Sequence, residues 1–273
     1  MLKKTYLPIY AVSFCICLLF VANSVVNLIW KDTIYPIPDL YNSFLPNDYI
    51  NLFFCVPILV VSLIMVRRAK NIGFIGWAGS LMFVLYNEIA YLFAVRNVYS
   101  QISNGGIALL GLVALITLIR SLDCQKLITD ASPVRRHKAY GAVLIIMGLV
   151  FVMRAAVNII SVTVGSVSLP LSETGVNIAD IIICLFWVVS GILMVKKSTY
   201  GYVMGFISYF HGALLFIALI IFMAVQPAVC GTDFIATDFL VIAIMSLTFL
   251  IPVIRLIYKF AVYWSRGVLK YKT

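Results

Sequence analysis

The sequence predicts an all-α polytopic membrane protein: eight transmembrane helices arranged as two parallel four-helix repeats, with both termini cytoplasmic. Three observations carry that prediction. The chain of 273 residues is 63% hydrophobic and only 11% charged, with a mean hydropathy of +1.09. A soluble domain of this length could not cover so much apolar surface with so few charges. Apolar runs of about 20 residues, the length needed to cross a bilayer, recur along it. The basic residues fall between these runs and almost all on one side of them.

The first span is Leu7–Trp30. Lys3-Lys4 ahead of it imitates a signal peptide, but the run is too long for an h-region and has no small-residue cleavage site. The connection Lys31–Asp48 holds Pro36, Pro38 and Pro46, and prolines at that density predict a loop with a short interfacial turn. The second span, Tyr49–Val66, stops at Arg67-Arg68, and the third runs from Ile72 to Val95. A polar link, Arg96–Asn104, leads to the fourth, Gly105–Ile119. Arg120–Lys138 is the most charged connection and marks the midpoint, dividing the chain into repeats over 1–133 and 134–273. The fifth span is Ala139–Val162, the sixth Asn177–Val195, the seventh Gly201–Ala224 and the eighth Phe234–Tyr258. The loops Thr163–Val176 and Val225–Asp233 join the fifth to the sixth and the seventh to the eighth. The tail WSRGVLKYKT is basic with aromatics, suited to lying along anionic lipid or to simple solvation.

Seventeen of the 20 basic residues lie on the side of the N-terminus; Lys31 and Arg96 lie opposite, and Arg154 is within a span. The positive-inside rule then makes that side cytoplasmic. Asp32, Asp39, Asp48, Glu173, Asp180, Asp233 and Asp238 fall on or near the other face, which is acidic. This distribution removes nucleic acid as the partner implied by the net charge of +10, and leaves membrane lipids. Cys15, Cys17, Cys55 and Cys184 lie within spans and act as small hydrophobes. Cys124 and Cys230 fall on opposite sides. With no CxxC and no Cys/His set at zinc spacing, the chain predicts neither a disulfide framework nor a metal or cofactor.

The two halves look like copies. Cys55 with Met65-Val66-Arg67-Arg68 matches Cys184 with Met194-Val195-Lys196-Lys197 at an offset of 129 residues. Phe20-Val21 with Val26-Asn27 matches Phe151-Val152 with Val157-Asn158 at an offset of 131. Four spans per half make both halves cross the membrane in the same sense, a parallel repeat about the membrane normal.

Glu88 is the one acidic residue well inside an apolar run, and an ionisable group there is a candidate site by default. It lies roughly 24 Å along the third span at 1.5 Å per residue, and Arg154 lies at nearly the same depth in the fifth. Matched depth makes the two partners, since either alone is costly. Asn23 with Asn27, and Arg154 with Asn158, repeat a one-turn spacing. Trp77, Leu81, Val84, Glu88 and Tyr91 form one inward stripe. His211 shares a helix face with Ser208, and only His137 accompanies it, which is too little for haem or zinc. Gly201, Gly205, Ser208 and Gly212 make a small-residue seam for close helix contact. Asn47-Asp48 with Asn51 is similar in type to the Asp-rich diphosphate motifs of intramembrane prenyltransferases. Further carboxylates at helical spacing are absent, however, and the charge rule puts the motif outside, so the residues read as helix N-caps.

The run LPNDYINLFFCVPILVVSLIMVRRAK with GWAGSLMFVLYNEIAYLFAV, and the later NIADIIICLFWVVSGILMVKKSTYGYVMGFISYFHGALLFIALIIFMAVQP, resemble a family of uncharacterised prokaryotic multi-spanning membrane proteins. The resemblance covers most of the chain from Pro38 to Tyr258 and implies an integral membrane protein of bacteria or archaea. It brings no activity and no functional residues.

With no HExxH, GxSxG, P-loop or Rossmann fingerprint, the pattern favours binding or transport of a small amphipathic or lipid-like molecule, in the cytoplasmic membrane of a prokaryote. The expected site lies between the repeats and is lined by Glu88, Arg154, Asn23, Asn27, Asn158, Tyr91, Asp180 and His211. Two other classes stay open: an intramembrane lipid-modifying enzyme using Glu88 or His211 as a base, and a non-catalytic assembly or sensor protein in which Glu88 and Arg154 only clamp the halves.

Overall fold

The computed structural model describes residues 6–68, 70, 72–124, 137–165 and 168–270, with 163 and 260–270 as backbone only. The N-terminal lysines, most of the midpoint connection and the side chains of the basic tail lie outside the described residues. Eight helices are long and apolar enough to cross a membrane, and the described residues contain no strand. The chain is an all-helical integral membrane protein.

In order, the helices are α1 (Leu7–Ile29), the single turn α2 (Lys31–Ile34), α3 (Pro38–Ile50), α4 (Val56–Arg67), α5 (Ile72–Ala94), α6 (Val98–Ser121), α7 (His137–Thr163), α8 (Leu171–Val195), α9 (Thr199–Cys230) and α10 (Ala236–Lys270). A π-helical turn, Asn51–Cys55, joins α3 to α4, so that Pro38–Arg67 crosses as one 30-residue span.

That long span corrects the expected loop over Lys31–Asp48. Pro38 stands in the first helical turn, where its missing N–H costs nothing, with Asp39 beside the helix N-terminus. Pro46 lies inside the helix and leaves the carbonyl of Asn42 without its amide partner. The Nε2 of Gln226, from α9, fills the gap by donating to Asn42 O at 3.0 Å. Pro57, at the start of α4, withholds a second amide, and the π turn lies immediately before it. Other helices also outrun their apolar cores. Asn97 caps α6 by accepting from Ser100 N at 2.8 Å, so the expected polar link is mostly helix. α8 begins at Leu171, before the apolar run. α9 continues to Cys230 and ends at Gly231, whose φ of 69° is the left-handed stop that glycine accepts most easily.

α5 occupies the centre. It is flanked by α4, α6, α8 and α9, and its residues from Gly73 to Tyr91 are buried apart from Phe74. It is also the least apolar span, with a mean hydropathy of 1.3 against 2.1–2.6 for the others. A helix that meets protein on every side need not match lipid. Small residues allow the approach: a Cβ at Gly76 would crowd Ser62 of α4, one at Gly79 would crowd Phe210 of α9, and one at Gly175 would strike the carbonyl of Ala90. α1 packs on α3, α4 and α6, closing a ring with α5 in the first half. In the second half α7 lies against α8 through Gly141, Gly148 and Gly191, where backbone meets backbone. α10 lies on α9, its fully buried Phe249 set into the notch at Gly212, stacked on Phe216 and tilted against Trp187.

The two halves are also stitched at the end formed by α2, α3 and the start of α8. Asp39 accepts from the backbone N of Ser172 at 3.1 Å and from its hydroxyl, and so caps α8 from α3.

The Pro46–Gln226 arrangement predicts a coupled pair. Gln226→Leu strands the carbonyl of Asn42 and should cost about 1–2 kcal/mol of stability. In a Pro46→Ala background the amide returns, and the same change should cost a few tenths at most. A double-mutant cycle on thermal unfolding in detergent checks this; equal costs in both backgrounds would show that Gln226 does not serve the proline.

Candidate functional site

The polar residues of the membrane interior form separate groups, and the largest lies inside the ring of the first half. Its centre is Asp48, three turns into α3 and fully buried. Asn27 of α1 donates from Nδ2 to Asp48 Oδ1 at 3.2 Å, and Tyr35, between α2 and α3, donates to Oδ2 at 2.6 Å. Tyr91 of α5 places its Oη 3.2 Å from Asp48 Oδ1 and 3.2 Å from the carbonyl of Phe44, either of which can take its one proton. Tyr91 also accepts from Asn47 Nδ2, which reaches Asn87 Oδ1 at 2.9 Å.

Beside this set lies Glu88, 2% exposed. Asn23 and Asp48 are its polar neighbours. Asn23 in turn donates to Asn104 Oδ1 at 2.7 Å and accepts from Tyr99 at 3.1 Å, both on α6. One carboxyl oxygen of Glu88 and the side-chain oxygen of Asn27 have no hydrogen-bond partner. No Lys, Arg or His among the described residues comes within ion-pair distance of Glu88 or Asp48. Two neighbouring buried carboxyls therefore lie in a low-dielectric interior with no cationic side chain beside them among the described residues.

Tyr35 connects this interior to the surface. It forms part of the wall of an open depression of about 330 Å³, with Asp32, Pro36, Pro38, Tyr41, Asn42 and Cys230. Tyr35 lies outside the spans; burial first, and then the nearby Asp48, push its phenol well above the ordinary range, so it acts as a fixed donor. A second open groove, about 400 Å³, runs between α9 and α10, with apolar walls such as Phe222 and Ile242 and with Gln226, Asp233 and Asp238 among its polar lining. Gln226 reaches from it to Asn42, a residue of the first depression.

The remaining predicted residues lie elsewhere. Arg154 does not meet Glu88: its Nη2 pairs with Asp180 Oδ2 at 2.7 Å, and Asp180 Oδ1 accepts from Tyr86 at 3.0 Å. The expected Glu88–Arg154 pair is thereby replaced. Tyr86 and Glu88 are two residues apart on α5 and so project to nearly opposite sides, one towards α8 and the other towards α1. Asn158 donates to Asn177 Oδ1 at 3.4 Å, one turn beyond Arg154 and again between α7 and α8. His211, fully buried, accepts through Nδ1 from Trp187 Nε1 at 3.2 Å, and its Nε2 has no partner. The eight residues are thus gathered into three places rather than one.

Asp48, Tyr35, Asn47, Asn87, Tyr99 and Asn104 were not foreseen. The signal for Asp48 was its spacing: Asn47, Asp48 and Asn51 share neighbouring helical positions, but reading the preceding segment as a loop turned them into caps.

No protein-family model matches the chain, and no curated protein or solved structure shows significant similarity to it.

The Arg154–Asp180–Tyr86 set predicts a stability effect centred on the contacts of α8 with α7 and α5. Arg154→Met removes the cation from a buried carboxyl and should cost about 1–2 kcal/mol, below the roughly 3–5 kcal/mol of a fully buried pair because the Arg154 side chain is half exposed. Adding Asp180→Asn should recover most of the loss in thermal unfolding. No recovery would mean that the charge pair is not what Arg154 contributes.

Proposed function

We propose that this integral membrane protein binds and carries a small amphipathic molecule bearing a positive charge, using the carboxyl cluster of the first half as its interior polar site. Asn23, Asn27, Glu88 and Tyr91, with Asp48, line that site. The observation that supports it is the presence of two fully buried carboxyls with no cationic side chain near them, in a membrane interior where such groups are kept for function. A bound positive group is what would let these buried carboxyls ionise, and the acidic residues at the approach, Asp32, Asp233 and Asp238, favour the same charge. The apolar walls of the groove between α9 and α10 suit the body of an amphipathic molecule. On this reading Arg154, Asp180 and Asn158 fasten α7 to α8, and His211 holds α8 to α9.

The charge rule, taken with this reading, orients the α2 end outward in a prokaryotic cytoplasmic membrane with both termini inside. With the halves read as copies from their matching offsets, the proposed site belongs to one copy of a four-helix unit.

The reading is tested by equilibrium binding of tetraphenylphosphonium to the full chain in nanodiscs. Binding should saturate, and Asp48→Asn or Glu88→Gln should weaken it by tenfold or more, whereas Asn158→Ala should leave it unchanged. Equal binding by all four proteins, or preference for the anion tetraphenylborate, would defeat the proposal.

A further inference from the structure

Buried polar atoms without a hydrogen-bond partner gather in the first half: the hydroxyls of Ser80 and Ser103, which can donate as well as accept, and three carboxamide or carboxylate oxygens that can only accept. Asn27 Oδ1, Asn51 Oδ1 and Glu88 Oε2 are buried oxygens without a hydrogen-bond partner. Asn27 is anchored by its Nδ2 to Asp48, so its free oxygen is the other end of an amide held beside that carboxylate. Rotating the amide would set oxygen against oxygen and strand the NH₂ group instead. Glu88 is tied to Asn23, one turn from Asn27 on the same helix, and lies within the field of Asp48. Asn51 follows Asp48 by three residues, where the chain widens into its π turn, an irregularity common at functional sites.

Donors or a cation are needed to complete this arrangement. One proton on Glu88 supplies a single donor, which serves one of the three oxygens. A metal cation takes several oxygens at once. The available groups are carboxylate and carboxamide oxygens, ligands of hard cations. No group of three His, Cys, Asp or Glu side chains suited to a metal forms among the described residues. Asp48 is already surrounded by the donors of Tyr35, Tyr91, Asn27 and Ser24. Glu88 is the carboxylate that lacks such a shell, so a single positive charge is what is missing.

We infer that Asn27 Oδ1, Glu88 Oε2 and the Asp48 carboxylate, with Asn51 one turn along, form a binding site for a monovalent alkali cation of the Na⁺ class. The inference deepens the carrier reading by naming the ion that occupies its cluster. The site itself does not require that an organic cation be carried.

The test is thermal unfolding of the full chain in neutral-lipid nanodiscs, at constant pH and ionic strength, with N-methylglucamine replaced stepwise by Na⁺. The midpoint should rise saturably, by about 3–6 °C when Na⁺ is a hundredfold above its dissociation constant. Glu88→Gln and Asn27→Leu should abolish the rise, and Asn158→Leu should keep it. A wild-type midpoint indifferent to Na⁺ overturns the site, and this comparison needs no variant to fold. So does stabilisation by acidification with no response to Na⁺, or a full response in Glu88→Gln. Measuring tetraphenylphosphonium binding on the same samples separates the two proposals. Organic cation bound with no Na⁺ response defeats the ion site alone; a Na⁺ response without organic cation binding defeats the carrier reading alone.

Discussion

A polar side chain inside a bilayer has no water in reserve, so each one on a central helix must be answered by another helix. That requirement organises the molecule around α5. Trp77 donates to Ser13 and draws in α1. Tyr86 reaches Asp180 and fixes α8. Asn87 meets Asn47, and Tyr91 meets Asp48, which together set the rotation of α3. Between these contacts, glycines bring α4 and α9 to close range, where dispersion replaces the hydrophobic effect as the source of association. Polar bonds fix which faces meet, and small residues fix how near they come.

The same accounting explains why the helices are longer than their apolar stretches. Hydropathy detects what lipid will accept, and it located all eight spans. It is blind to backbone hydrogen bonding, which continues wherever the amides and carbonyls find partners. Pro46 reads as a breaker in a linear sequence because its lost bond is local. The repair comes from Gln226, 180 residues further along, and nothing local reveals it. Asn97 was different, since an Asn three residues before Ser100 is a legible cap that the view of the segment as a link concealed.

For the interior residues, the sequence conveyed depth far better than direction. The stripe of Trp77, Glu88 and Tyr91 does face α1 and α3, because helical periodicity preserves relative angle within one helix. Between helices no such relation exists. Glu88 and Arg154 matched in depth, but helix α8 and its Asp180 lay closer to the arginine. Asp180 had been assigned to the outer rim by its place near a span end, and Asp48 likewise; both are buried because their helices begin earlier than the apolar runs suggest. The error in helix ends and the error in partners are therefore one error.

The two carboxyl sites that result obey different logic, and the difference bears on function more than either site alone. Around Asp180 a guanidinium and a phenol supply the donors, and the charges balance. Such a set can hold helices together with nothing added. Around Glu88 and Asp48 no cationic side chain stands among the described residues, and acceptors are left over. Packing alone could have removed that imbalance: Gln in place of Glu88 would fill the same volume with a neutral group that can donate. A chain that satisfies its polar groups at Pro46, Ser172 and Asp180 leaves carboxyl and carboxamide oxygens unanswered around Glu88 and Asp48, beside scattered single atoms elsewhere such as His211 Nε2. Local inconsistency of this kind, two carboxyls together with unanswered acceptors, is what the proposed binding would relieve.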